Sequence, residues 1–388
     1  MGKTSALAPR SGARARHADG PAPPVAATHF DLLQVLRGLA ALWVVLFHVW
    51  TLQSIRTLYT AMPSPWREVV FDDGRGGVAV FFVLSGFVIA HSLWGKQVDA
   101  RYAGTFAIRR SLRLDPAYWL SIPLAWGATA AVAMAHGAPL PWPSPATVIA
   151  HLLYLQELLG LPDIQIVYWT LTYEVQFYLV TLLGAWAWCR ARSRAGLFRQ
   201  IAWLLPAAFI LVAIASSLGD QQWMPRGVFL NFWFAFAAGA LAYAAGWRRV
   251  GAAPLVALAL IVAIALWRAP ATAEVFNTPA MLTAAGLFVA ARAHWLTAGR
   301  GQRWLIGLGA ISYSLYLVHL PILVMSGSIV RRVFGDGVVA DIGKLAAYLL
   351  LCISGATLFW RTVEAPTHRL AQRYGRGRAR AAAVAPAA

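Results

Sequence analysis

Charge is what this sequence has least of. Only 12% of its 388 residues are Asp, Glu, Lys or Arg, about half the share of an ordinary soluble domain. Hydrophobic residues make up 59% and mean hydropathy is +0.60, a balance that excludes a chain folded wholly in water. Acidic residues are scarcer than basic ones, 15 against 33, and lysine is confined to Lys3, Lys96 and Lys344, so arginine carries the net charge of +18. There are two cysteines, Cys189 and Cys352, with no CxxC pattern and no histidine or cysteine at ligand spacing. That excludes a disulfide framework and a structural zinc site, and no metal centre is expected. Residues 1–28 contain Ala, Pro, Gly and Arg but no apolar run able to form the core of a cleavable signal peptide; they read as a disordered tail. Internal repeats and an appended soluble domain are also missing.

What the chain does have is long apolar runs. About ten approach twenty residues: 32–52, 77–94, 114–135, 168–189, 200–218, 227–247, 252–267, 276–291, 305–330 and 345–362. Twenty helical residues rise about 30 Å, the thickness of a bilayer's hydrocarbon core. The expected fold is therefore all-α, a polytopic membrane bundle of about ten transmembrane helices over 29–370, its first run an uncleaved signal anchor. A second disordered, Arg- and Ala-rich tail is expected over 371–388. The shorter stretch between the third and fourth runs, carrying His151 and Glu157, reads as an interfacial or re-entrant helix.

The basic residues test the orientation. With the N-terminus on the cytoplasmic side, 24 fall in cytoplasmic segments and 8 opposite, with Arg37 inside the first run. This repeated bias places both termini in the cytoplasm. The positive charge is thus a topology signal, and no nucleic-acid partner is expected. Scarce lysine beside abundant Ala, Arg and Gly fits a GC-rich bacterial genome, so with the apolar runs the expected location is a bacterial inner (plasma) membrane.

An ionisable side chain in a span costs on the order of 3 kcal/mol on insertion scales, so each one needs a reason. Arg37 and His48, eleven residues apart in the first run, are only about 20° from eclipsed and about 16 Å apart in rise. A snorkelling Arg and a His bonded within the bundle would explain them separately; their common stripe favours a pocket. Arg110 and Arg113, i and i+3 just ahead of Asp115 and Pro116, are expected at a cytoplasmic helix start, where two guanidiniums suit a phosphate-bearing ligand. Ordinary positive-inside charge competes with that reading. In the fourth run Thr170, Glu174, Tyr178 and Thr181 share a stripe; in the ninth, Ser312, Tyr316 and His319 share another. Ser85 and Gly86 sit among large aromatics, where small residues most often permit close helix packing. Histidines, a carboxylate and hydroxyls within spans, with arginines at one mouth, amount to general-base chemistry beside an anion-binding entrance.

Six ordered segments, spread from about Phe30 to Arg369, resemble the acyltransferase 3 family of membrane acyltransferases. They are the pair Arg37 and His48, "FFVLSGFVI", "RRSLRLDPAYW", "WTLTYEVQFYL", "SYSLYLVHLP", and Glu364 with Pro366. The resemblance implies an acyl-CoA donor, usually acetyl-CoA, bound from the cytoplasm, and O-acylation of a glycan, glycolipid or glycoside acceptor. It makes His48 the base or acyl carrier, with Arg37, Arg110 and Arg113 on the CoA phosphates. Glu174 and His319 join the catalytic candidates, and Ser85, Tyr178, Tyr316 and Glu364 support them. The reading from a different class is a proton-coupled transporter or flippase, because intramembrane His and Glu also serve proton coupling. The oligomeric state is left open.

Overall fold

A computed structural model describes residues 30–219, 224–272, 275–297 and 303–384. The tail expected over 1–28 lies outside them. Among the described residues there are helices and no strands, and each apolar run falls on a helix. In chain order the helices are α1 (Asp31–Thr51), α2 (Arg56–Ala61), α3 (Ser64–Val70), α4 (Gly77–Leu93), α5 (Ala100–Ala135), α6 (Pro145–Leu152), α7 (Trp169–Arg192) and α8 (Leu197–Ile201). They continue with α9 (Leu204–Leu218), α10 (Trp233–Ala242), α11 (Ala253–Thr272), α12 (Asn277–Arg292), α13 (Arg303–Ala310), α14 (Ser312–Phe334), α15 (Val338–Phe359) and α16 (Ala365–Val384).

Seven helical segments among the described residues are long and apolar enough to cross a membrane: Asp31–Thr51, Ser64–Leu93, Ala100–Ala135, Leu197–Leu218, Phe229–Trp247, Ser312–Phe334 and Val338–Tyr374. The other three expected spans correspond to α7, α11 and α12, so ten helical runs are present while seven meet that measure. The outward faces fit a lipid solvent. On α9, Leu204, Leu211 and Leu218 recur every seven residues and are all exposed, a stripe that water would penalise and acyl chains would not.

Close backbone approach sets the inner packing. α4 crosses α10 where Gly86 faces Phe236 and Gly239 faces Val83; a Cβ on either glycine would lie 1.9 Å from the opposing carbonyl oxygen. The small-residue reading of Gly86 is thus borne out. α1 crosses α13 in the same way, a Cβ on Gly309 falling 2.0 Å from the Gln34 carbonyl oxygen. Such crossings substitute van der Waals contact for the hydrophobic drive that lipid removes. α1 also packs on α4 and α14, while α14 packs on α5 and α15.

Three elements differ from the expected boundaries. α5 begins at Ala100, capped by Asp99, which accepts from the Tyr102 amide at 2.6 Å. Arg110 and Arg113 therefore sit about three turns inside a 36-residue helix rather than at its start, and Pro116 and Pro123 are carried within it. The ninth run breaks at Ile311 into α13 and α14, two residues after the close approach of Gly309 to α1. The stretch around His151 holds only the eight-residue α6, about 12 Å long, followed by turns; this agrees with a segment that does not span.

The connection 53–76 folds over the last turns of α1. The Leu58 amide donates to Asp341 at 2.8 Å, and Asp341 also pairs with Lys344 at 2.6 Å. Trp43 donates to the Val69 carbonyl, Tyr59 donates to Asp72 at 2.7 Å, and the Tyr59 ring stacks on Trp50.

Candidate functional site

The sequence-predicted residues collect around α1 in two adjoining groups. The first surrounds a cavity of about 230 Å³ between α1, α4, α5, α7 and α14. Arg37, Ser85, Arg110, Arg113, Glu174 and Tyr316 all line it. Arg37 donates from Nε to the Ser312 hydroxyl at 3.2 Å. The Arg110 guanidinium lies 4.0 Å over the Tyr178 ring and 4.0 Å from Glu174, and its Nε is buried without a hydrogen-bond partner among the described residues. Arg113 makes no hydrogen bond to any described residue. Glu174 accepts from Ser85 at 2.7 Å and also from Tyr178.

Three guanidiniums thus line the cavity with one carboxylate, Glu174, and Glu364 lies outside the lining. The cavity lining by itself therefore carries surplus positive charge. A buried Arg110 N–H without an acceptor in such a lining suits an anion with several oxygens.

The second group is a histidine pair deeper along α1. His319 Nε2 lies 3.2 Å from His48 Nδ1. Their hydrogen bonds fix the tautomers. His319 Nδ1 faces the carbonyls of Leu315 and Tyr316 at 3.0 and 2.8 Å, and carbonyls only accept, so Nδ1 carries the hydrogen and Nε2 presents a lone pair. His48 Nδ1 faces the Val44 carbonyl at 2.9 Å, so it too bears hydrogen and can share it with His319. The remaining ring nitrogen, His48 Nε2, keeps a free lone pair and makes no hydrogen bond to any described residue. The arrangement is an imidazole whose tautomer is set by the Val44 carbonyl and whose Nδ1–H also faces a second, fully buried histidine.

Both ends of the Arg37–His48 stripe meet α14, Arg37 at Ser312 and His48 at His319, so the two residues face the same helix. Neither histidine lines the arginine cavity. Tyr316 stands between them and it: its ring borders the cavity, its centroid is 6.1 Å from that of His319, and its hydroxyl meets Thr170 at 2.8 Å and donates to the Val167 carbonyl at 2.8 Å. Of the fourth-run stripe, Thr170 joins this network, Glu174 and Tyr178 join Ser85 in a separate one, and Thr181 finds no hydrogen-bond partner among the described residues. Glu364, carried on the π-turn Trp360–Glu364, accepts from both the amide and hydroxyl of Ser314, at 3.2 and 2.6 Å. It lies outside the cavity lining but within electrostatic reach of Arg37 and Arg113.

Several participants were not singled out from the sequence. Tyr313 lines the cavity and donates to the Leu114 carbonyl at 3.1 Å, and Ser314 holds Glu364. Both lie in the motif "SYSLYLVHLP", where the density of hydroxyls was the available signal.

The chain is thus an apolar helix bundle with an arginine-walled cavity and an adjoining pair of histidines. The chain belongs to the acyltransferase 3 family: residues 31–361 match the family model described as an acyltransferase domain. No curated protein and no solved structure matches the chain.

Proposed function

We propose that this protein is an inner-membrane O-acyltransferase that moves an acyl group, acetyl in the simplest case, from cytoplasmic acyl-CoA to a hydroxyl of a cell-surface or exported glycan, glycolipid or glycoside. The observation that carries the donor assignment is the cavity with three guanidiniums and one engaged carboxylate. CoA brings clustered phosphates to such a cavity, and its pantetheine arm, roughly 15 to 20 Å long, matches the rise of about 16 Å from Arg37 to His48.

In the reaction, His48 Nε2 takes the proton of the acceptor hydroxyl as that oxygen attacks the thioester carbonyl. The new C–O bond forms, the C–S bond breaks, and the departing CoA thiolate recovers a proton, leaving an ester and CoA thiol. A route through an acyl-histidine at the same Nε2 uses the same free lone pair. His319 holds the imidazole of His48 in register and accepts its Nδ1 hydrogen. Glu174, fixed by Ser85 and Tyr178, orients Arg110, and Glu364 sets the electrostatic background of Arg37 and Arg113.

The donor assignment is tested with Arg113→Ala. Removing one charge-assisted phosphate contact is expected to raise the apparent KM for acetyl-CoA about tenfold or more with little change in kcat. An unchanged KM would remove Arg113 from the donor site.

A further inference from the structure

A second pocket, of about 730 Å³, is lined by the turns after α6, the start of α7 and the segment 224–232. Its size lies within the range of small-molecule sites. It stands back to back with the arginine cavity. Ile166, Trp169 and Tyr173 face the pocket while Thr170, Leu171 and Glu174 face the cavity, and the rings of Phe232 and Phe82, one from each lining, are 5.4 Å apart.

The polar wall is ordered. Glu157, almost fully buried, accepts from Nε and Nη2 of Arg226 at 2.6 and 2.9 Å, and Arg226 reaches Asp163 Oδ2 at 3.5 Å. Gly227, at φ +86, lets this segment approach so closely that a Cβ would fall 2.6 Å from the Glu157 backbone. The other oxygen of Asp163, Oδ1, is buried and has no hydrogen-bond partner among the described residues. Its nearest basic atom is His151 Nε2 at 3.9 Å. That nitrogen cannot donate: His151 Nδ1 bears the hydrogen given to the Thr147 carbonyl at 2.9 Å, and Nε2 accepts from the Ile164 amide at 3.1 Å. Burial also holds His151 below the usual histidine range, in its neutral form.

A buried carboxyl oxygen without a partner wants an O–H or N–H group from outside the protein, to which it donates when protonated and from which it accepts when ionised. The charge balance selects between them. Glu157 is neutralised by Arg226, and burial together with the Glu157 carboxylate pushes Asp163 up to about 8. The pocket at neutral pH is close to uncharged, which favours hydroxyl groups over ammonium or phosphate. The lining also includes the rings of Trp169, Tyr173 and Phe232, aromatic surfaces of the kind that take the C–H face of a pyranose.

We infer that this pocket is a sugar-binding subsite that anchors a pyranose unit of the acceptor one turn of α7 away from Thr170 and the Tyr316 hydroxyl. This rests on the acyl-transfer reading for its purpose, though not for its chemistry. On the expected topology the pocket opens away from the cytoplasm, where an exported or lipid-linked glycan would arrive. It holds the acceptor by a ring other than the one that reacts, so its residues act on acceptor affinity and leave the chemical step alone.

The test uses full-length protein in phospholipid nanodiscs, which carry no sugar, and saturation-transfer difference NMR. The probes are oligosaccharides released from the host envelope and, separately, intact host glycolipid inserted in the nanodisc. Wild type is expected to saturate ring protons of one or both probes, and which probe responds distinguishes a soluble from a lipid-linked source. Trp169→Ala and Asp163→Ala should each weaken binding about tenfold, with Trp169→Phe retaining most of it; thermal unfolding checks that each variant is folded. No saturation with either probe, or equal saturation in folded variants, would overturn the inference. Acetyl transfer measured in parallel separates the two claims. Sugar binding lost in these variants beside a wild type that transfers no acetyl would condemn the transfer reading and keep the subsite; transfer whose acceptor KM ignores both variants would condemn the subsite alone.

Discussion

The chemistry proposed for this protein depends on which nitrogen of one imidazole is free. Two backbone carbonyls at His319 Nδ1 and one at His48 Nδ1 leave a single unprotonated, unbonded nitrogen at His48 Nε2. The roles of the two histidines therefore differ. His48 carries the base, and His319 acts through it. Substitution His319→Ala is expected to lower kcat by roughly 10²-fold with acetyl-CoA affinity unchanged, and to shift the pH–rate profile because His48 loses its orienting partner. His319→Gln, whose carbonyl can still accept the His48 hydrogen, should recover part of the rate. A kcat unmoved by His319→Ala would show that the pair has no mechanistic connection. Much at this scale was legible in the chain: the Arg37–His48 stripe and the Ser312–Tyr316–His319 stripe both survive as faces, because helical periodicity alone fixes which residues share one. What periodicity could not supply is which stripe meets which. The meeting of His48 with His319, or of Ser85 with Glu174, depends on a tertiary crossing of residues 89 or more positions apart.

Elements place these residues through tight crossings. Gly86 and Gly239 bring α4 against α10, and Ser85, the residue before Gly86, bonds to Glu174 on α7. Replacing Gly239 by Val puts methyl groups where the Val83 carbonyl already stands. The expected cost is about 1–3 kcal/mol or more in thermal unfolding, together with loss of transfer, since α4 cannot shift without carrying Ser85 away. A Gly239→Val protein with unchanged melting and activity would mean that the crossing is not tight. The sequence located each helical run because apolar length is a strong signal. It missed the early start of α5, since "RYAGTFAIRRSLRL" is amphipathic rather than continuously apolar, and it missed the break at Ile311, since nothing in the hydropathy of 305–330 marks a close approach by Gly309. The partnership of Glu157 with Arg226 was equally hidden: each was visible as a polar residue, but the two are 69 positions apart.

At the scale of the whole molecule, the basic residues sort into alternate connections by three to one, the bias that supports the proposed orientation, with both termini and the Arg110 and Arg113 side of the cavity toward the cytoplasm. Reporter fusions check this: one active only in the cytoplasm should work at either terminus, and one active only outside should work in the connections 53–76 and 136–167. The opposite pattern would turn the molecule over and place the arginine cavity away from the cell's acyl-CoA. The arginine cavity and the histidine pair share α1 and α14, and the arginine cavity and the second pocket share α7.

The central claim is acyl transfer dependent on His48, and one measurement tests it most directly. Purified protein, wild type beside His48→Ala, is incubated with radiolabelled acetyl-CoA and a lipid and glycan extract of the native host. Label entering a glycan or glycolipid fraction with wild type, and falling by at least about 10² to 10⁴ with a folded His48→Ala protein, is the predicted result. Equal labelling by the two proteins would contradict the mechanism, and no labelling by a folded wild type would contradict the proposed reaction.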